Sequence, residues 1–196
     1  MNFFKKIFKS EAPQSKEVKP EIISDKALDD LFVEKFIAKG GRFLYCETKQ
    51  EIKENLLNIL EQEQWLKTFT FAGKLKKLLQ SIGVSSANSI EKSDCFITEC
   101  EHLIAEDGSI LFSSKQLKEN RLTILPKNFI VYAKTSQFVH NKGESLTSIK
   151  NRYQKKGIPS NIAAIKNYNL NENSENFMTY GNNNTKQLYL LLLEDL

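Results

Sequence analysis

From residue 24 to residue 98 the sequence alternates helical and strand-like stretches joined by short connections, a rhythm that leaves few folds open. The segment SDKALDDLFVEKFIAKGG (24–41) sets Leu28, Leu31, Phe32, Phe36 and Ile37 on one helical face, with Ser24 or Asp25 as N-cap and Gly40 as the stop. Residues 42–46 (RFLYC) read as a strand, and Thr48 then caps a helix carrying Ile52, Leu56, Leu57, Ile59 and Leu60 to about Glu63. The pattern repeats with a strand at 68–72, a helix at 74–82 ended by Gly83, and a strand at 93–98. Strands separated by helices predict an α/β fold, mainly a parallel sheet flanked by helices.

At residue 102 the rhythm changes. HLIAEDGSILFS holds two strand-like runs, 102–106 and 109–113, around Asp107-Gly108, a dipeptide suited to a two-residue hairpin turn. The expectation is an antiparallel hairpin inserted into the parallel sheet. Two further strands follow at 121–126 and 128–134, the second nearly all apolar and therefore central. A helix is expected at 145–156. The Asn-rich stretch 167–184 reads as loop, and 187–195 as a strand buried on both faces.

The first ten residues, MNFFKKIFKS, place Phe3, Phe4, Ile7 and Phe8 at helical spacing with lysines between them, and the following EAPQSKEVKP is linker-like. Residues 1–21 are thus expected to be a basic amphipathic tail and linker, able to dock peripherally on a membrane or partner. Residues 22–196 are expected to be a single domain. The 196-residue chain has a net charge of +4, of which residues 1–20 carry +3. The body is almost neutral, against a nucleic-acid binder, and the basic stretch Lys150, Arg152, Lys155 and Lys156 reads as a solvated helix face. The apolar run at 188–193 is far too short for a transmembrane helix. Cys46, Cys95 and Cys100 fit no disulfide or zinc spacing and read as small buried hydrophobes. With no secretory signal pattern at residues 1–21, the expected location is the cytoplasm.

Few catalytic patterns survive inspection. Neither a phosphate-binding glycine loop nor a nucleophile elbow is present, and Gly40-Gly41 follows a helix rather than opening one. No metal site is expected. Carboxylates, however, gather around the hairpin: Asp94, Glu99, Glu101, Glu106 and Asp107. Glu106 directly follows Leu103-Ile104-Ala105, so partial burial is expected there, which would raise its pKa and fit it for proton transfer. The competing reading makes it a support for the turn.

The stretch from Phe96 to Ser114, FITECEHLIAEDGSILFSS, resembles the signature of the lactate-utilisation (LUD) domain family. RLTILP (121–126), FIVYAKTSQFV (129–139), and Tyr180-Gly181 followed by QLYLLLL (187–193) extend the likeness across roughly residues 22–196. The resemblance implies a fold related to ribose-phosphate isomerases and CoA transferases (NagB/RpiA-like). It also implies a role in bacterial lactate oxidation beside iron-sulfur partner subunits that hold the cluster cysteines, with no redox cofactor on this chain. Carried over residue by residue, it marks Glu106 as the catalytic candidate and Thr98, Gly108, Ser109 and Gly181 as candidates for holding a small organic-acid or other anionic ligand.

Two departures stand out: residues 164–176 lack the family's Gly-Pro and Ala-Asp-Ile elements, and Asn182–Asn184 replace its closing His-Gly-Pro. The leading expectation is an accessory or ligand-binding subunit. The alternatives are a free-standing isomerase or CoA-transferase-like enzyme with Glu106 as base or nucleophile, and a divergent inactive scaffold.

Overall fold

The computed structural model describes residues 27–169 and 184–195. Its centre is a five-stranded, wholly parallel sheet in the order β1 (Arg42–Cys46), β9 (Gln187–Leu193), β6 (Asn128–Lys134), β3 (Cys95–Glu99) and β2 (Thr68–Phe69). The two longest strands, β6 and β9, pair along their full lengths from Asn128 opposite Gln187 to Lys134 opposite Leu193. Their unbroken apolar character follows from this position, because both faces of a central parallel strand are covered.

On one face lie α2 (Lys49–Gln62) and α3 (Gly73–Ser81). The Thr48 hydroxyl accepts the Glu51 amide, as the sequence predicts, and Ile52, Leu56, Ile59 and Leu60 pack with Trp65, Leu75 and Leu79 onto Ile97, Ile130 and Leu191. Each such side chain contributes about 1.5–3 kcal/mol by leaving water. The other face meets α1 (Leu28–Ala38) and a second sheet, whose strand order is β7 (Phe138–Val139), β4 (His102–Ile104), β5 (Ser109–Ser113) and β8 (Ile162–Ile165). One helical turn, α4 (Ser114–Leu117), follows β5, and alternation along this second sheet explains its two cores. Leu103, Ile110, Phe112 and Ile165 face the parallel sheet, whereas Ile104, Leu111 and Val139 face Ile149 of α5 (Lys142–Tyr153).

The α/β class and the antiparallel pairing of β4 with β5 agree with the sequence reading. The hairpin, however, leaves the parallel sheet and founds the second one, because β7 and β8 pair with its outer edges. The stretch 121–126 is not a strand: Leu122–Ile124 is a 3₁₀ turn whose buried Leu122 and Leu125 recur at a period of three. β2 is shorter than expected because the Thr70 hydroxyl takes the Ala72 amide and turns the chain into α3. On α1, Phe32 and Phe36 are buried while Leu28 and Ile37 remain exposed. The expected cap, Ser24 or Asp25, and the tail lie outside the described residues. Helix α5 begins at Lys142 rather than 145, because the Asn141 side chain accepts the Glu144 amide.

Candidate functional site

The β4–β5 turn spans Ala105–Gly108, longer than the two residues expected, since Ile104 pairs with Ser109 and its carbonyl accepts the Gly108 amide at 2.9 Å. Gly108 has φ +65°, the left-handed conformation that closes such loops. Asp107 accepts the Ser109 amide at 3.1 Å and also the Ser109 hydroxyl. Burial opposes the charge on Asp107, but the Ser109 hydroxyl and Lys166, the latter 3.2 Å away, outweigh it and hold the carboxyl below its usual range. Lys35 of α1 and Lys39, which follows its last turn, donate to the Glu106 and Asp107 carbonyls, and the Tyr168 hydroxyl donates to Gly108 O at 2.8 Å.

Gly108 and Ser109 are therefore brought together and hold the turn. Thr98 is buried in β3, its hydroxyl on the Glu99 carbonyl at 2.9 Å, away from that turn network. Gly181 lies outside the described residues. Glu106 is exposed, not partly buried: its amide donates to His140 O, and the chain swings outward after buried Ala105. Its apolar predecessors end where the turn begins, so strand alternation does not carry through to residue 106.

The buried carboxylate is Glu101. It accepts from Ser113 Oγ at 2.6 Å, Gln116 Nε2 at 3.1 Å, Tyr153 OH at 3.1 Å and Arg152 Nη1 at 3.1 Å, and it is 0% exposed. Arg152 therefore turns partly inward rather than lying on a fully solvated face. Glu101 already belongs to the carboxylate cluster visible in sequence. Two of its partners, Arg152 and Tyr153, lie some fifty residues downstream and carry no local signal.

Beside it, His102 Nδ1 lies 2.8 Å from Ser145 Oγ and Nε2 lies 3.4 Å from Arg152. A guanidinium only donates, so Nε2 acts as acceptor and the ring proton sits on Nδ1. Ser145 and His102 are both sealed from solvent, which makes this pair a pin for α5 rather than a nucleophile and its base. Burial, reinforced by Arg152, lowers the His102 pKa. As pH falls through about 6.5, the unfolded chain takes this proton before the folded one does. The stability tied to His102 is therefore complete above that pH and lost as pH falls toward the folded-state pKa. Denaturant melts between pH 7.5 and 5 should show a steeper acid loss for the native chain than for His102→Gln.

The described residues line hollows on the surface. A cleft of about 490 Å³ lies at the carboxyl ends of β1, β6 and β9, lined by Leu28, Asp29, Tyr45, Thr135, Ser136, Phe138 and Glu194. This is the end of a parallel sheet at which ligands usually bind. A smaller hollow of about 300 Å³, beside the entry to β2, is lined by Lys67, Lys92 and the polar loop from Ser85 to Ser89. Among the described residues, no cluster of His, Cys, Asp and Glu could hold a metal.

The family described as "LUD domain" matches residues 63–193, which include the hairpin, Glu101 and α5. A crystal structure of a DUF162 family protein from Deinococcus radiodurans shares the fold, with a TM-score of 0.59 at 10% identity over 86% of this chain and 96% of that one. No curated relative matches the sequence. The family match spans well over half of the chain, and this protein belongs to the LUD-domain family.

Proposed function

We propose that this chain is a cytoplasmic accessory or ligand-binding component of bacterial lactate oxidation, working beside iron-sulfur partner subunits on a small organic acid. In this reading residues 22–196 form one domain and residues 1–21 its tail. The observation that carries the proposal is membership of a family implicated in lactate utilisation, with the matched region enclosing the hairpin. The cysteines add to it. Cys46, Cys95 and Cys100 are free and buried, and none belongs to a group of three or more His, Cys, Asp or Glu among the described residues that could hold a metal. Electron-carrying clusters are accordingly assigned to the partners. No described helix is long and apolar enough to cross a membrane.

Within the hairpin we assign contact with ligand or partner to Glu106, supported by Gly108 and Ser109 through the turn, whereas Thr98 stays within β3. The Glu106 side chain stands exposed on the surface rather than enclosed in a pocket, which favours a binding role over an isomerase-like one. Glu106→Gln should leave the melting temperature within about 2 °C, as surface substitutions do, while weakening ligand or partner binding about tenfold or more. Affinity purification of the tagged chain from its native cell, with mass spectrometry, tests the proposal. Co-purifying iron-sulfur subunits that are lost with Glu106→Gln support it. A chain that emerges alone, or one whose partners ignore the substitution, overturns the role given to Glu106.

A further inference from the structure

The cleft at the carboxyl ends of β1, β6 and β9 has a charge that does not suit an anionic ligand. Its ionisable lining is acidic, Asp29 and Glu194, around the Tyr45 hydroxyl, which donates to Glu194. That hydrogen bond, then burial, then the negative charges of Glu194, Glu47 and Asp29 push the Tyr45 phenol up to about 12. The neighbouring cation, Lys134, is engaged by Asp195, which also takes the Thr135 and Ser136 hydroxyls. Leu28 and Phe138 add apolar surface. A fitting occupant is therefore cationic and apolar at once.

The chain carries such a segment, and the described structure starts at the rim of the cleft, one residue before Leu28. We propose that residues 3–9 of this same chain dock in the cleft, Phe3, Phe4, Ile7 and Phe8 against Leu28, Tyr45 and Phe138, and Lys5, Lys6 and Lys9 toward Asp29, Glu47 and Glu194. The linker from Lys9 to Ala27 spans up to about 60 Å when extended, so reach is not limiting. Short tethers give effective concentrations of order millimolar, so a weak intrinsic affinity is enough to keep the cleft occupied. A docked tail covers its own aromatic face, which makes its availability to a membrane or partner conditional on release.

Zero-length carbodiimide cross-linking of the full-length protein at low micromolar concentration, with peptide mapping of the monomer band, tests this. Links from Lys5, Lys6 or Lys9 to Glu194 and Glu47 are expected about tenfold above links to exposed Glu61 and Glu119. Raising salt to about 0.5 M, where screening shortens to a few ångströms, should reduce them several-fold. Replacing Phe3, Phe4 and Phe8 with serine should do the same while keeping every lysine. Links confined to a dimer band would move the occupant to a second copy. Links spread evenly over exposed carboxylates, links insensitive to the serine changes, or no links from these lysines would each overturn the proposal.

Discussion

Gly108→Ala is expected to cost about 3 kcal/mol of stability, from backbone strain of roughly 1–2 kcal/mol and steric overlap of roughly 1–3 kcal/mol. At φ +65° an alanine is strained before it meets any neighbour. Its Cβ would then lie 2.7 Å from the Phe36 nitrogen, 2.8 Å from the Lys35 carbonyl carbon and 2.9 Å from Lys35 Cβ. Two of these are backbone atoms of α1, and the same helix carries Phe32 and Phe36 into the core, so it cannot step aside cheaply. For a chain of this size the expected fall in melting temperature is roughly 10 °C. Gly157→Ala separates the two causes. Gly157 has φ +82° but nothing within 4 Å of an added Cβ, so only the strain should register, about 1 kcal/mol. Equal losses at the two positions, measured by urea unfolding, would show that close packing of the turn on α1 contributes nothing.

This packing also shows what was legible in the sequence. Elements set by local pattern stand where the pattern puts them: β6 at Asn128–Lys134, α2 behind its Thr48 cap, and the leucine run of β9. At 121–126 no strand forms, because Leu122 and Leu125 satisfy a strand's hydrophobicity while their spacing of three makes a 3₁₀ turn. β7 and β8, the first two residues long and the second Ile-Ala-Ala-Ile, owe their strand state to the edges of the hairpin rather than to themselves. The burial expected at Glu106 falls on Glu101 instead, for a related reason. Which carboxylate turns inward depends on where a turn ends and on Arg152 and Tyr153 arriving from α5, and neither leaves a mark in the neighbouring residues. The acidic cleft likewise gathers Asp29, Tyr45, Thr135 and Glu194 from four distant parts of the chain.

Truncating Glu101 is expected to be the other large effect, and the partners decide how it divides. Glu101→Ala leaves the Ser113 hydroxyl, the Gln116 amide and the Tyr153 hydroxyl without the oxygen they share, and it opens a cavity where the side chain was wholly buried. With about 1 kcal/mol for each neutral donor and a further contribution from the cavity, the expected loss is roughly 3–4 kcal/mol. Arg152→Ala leaves a buried carboxylate without its cation, a change that costs about 3–5 kcal/mol when both charges are enclosed. Arg152, however, is 46% exposed, so water already screens the pair, and the three neutral donors stay in place. The expected loss is therefore nearer 2 kcal/mol. The double variant should lose less than the sum of the two, with a coupling of about 1 kcal/mol, because the second truncation removes a partner already missing. Chemical denaturation of the four proteins measures this, and additive losses would mean that the ion pair contributes nothing. Amide exchange should locate the damage. Arg152, Tyr153 and the His102-bound Ser145 all lie on α5, so its amides should lose protection in Glu101→Ala before those of β6 and β9 do. The hairpin that displays Glu106 is bonded through its Glu106 amide to His140, two residues before α5 begins, so the same opening should reach the proposed binding surface.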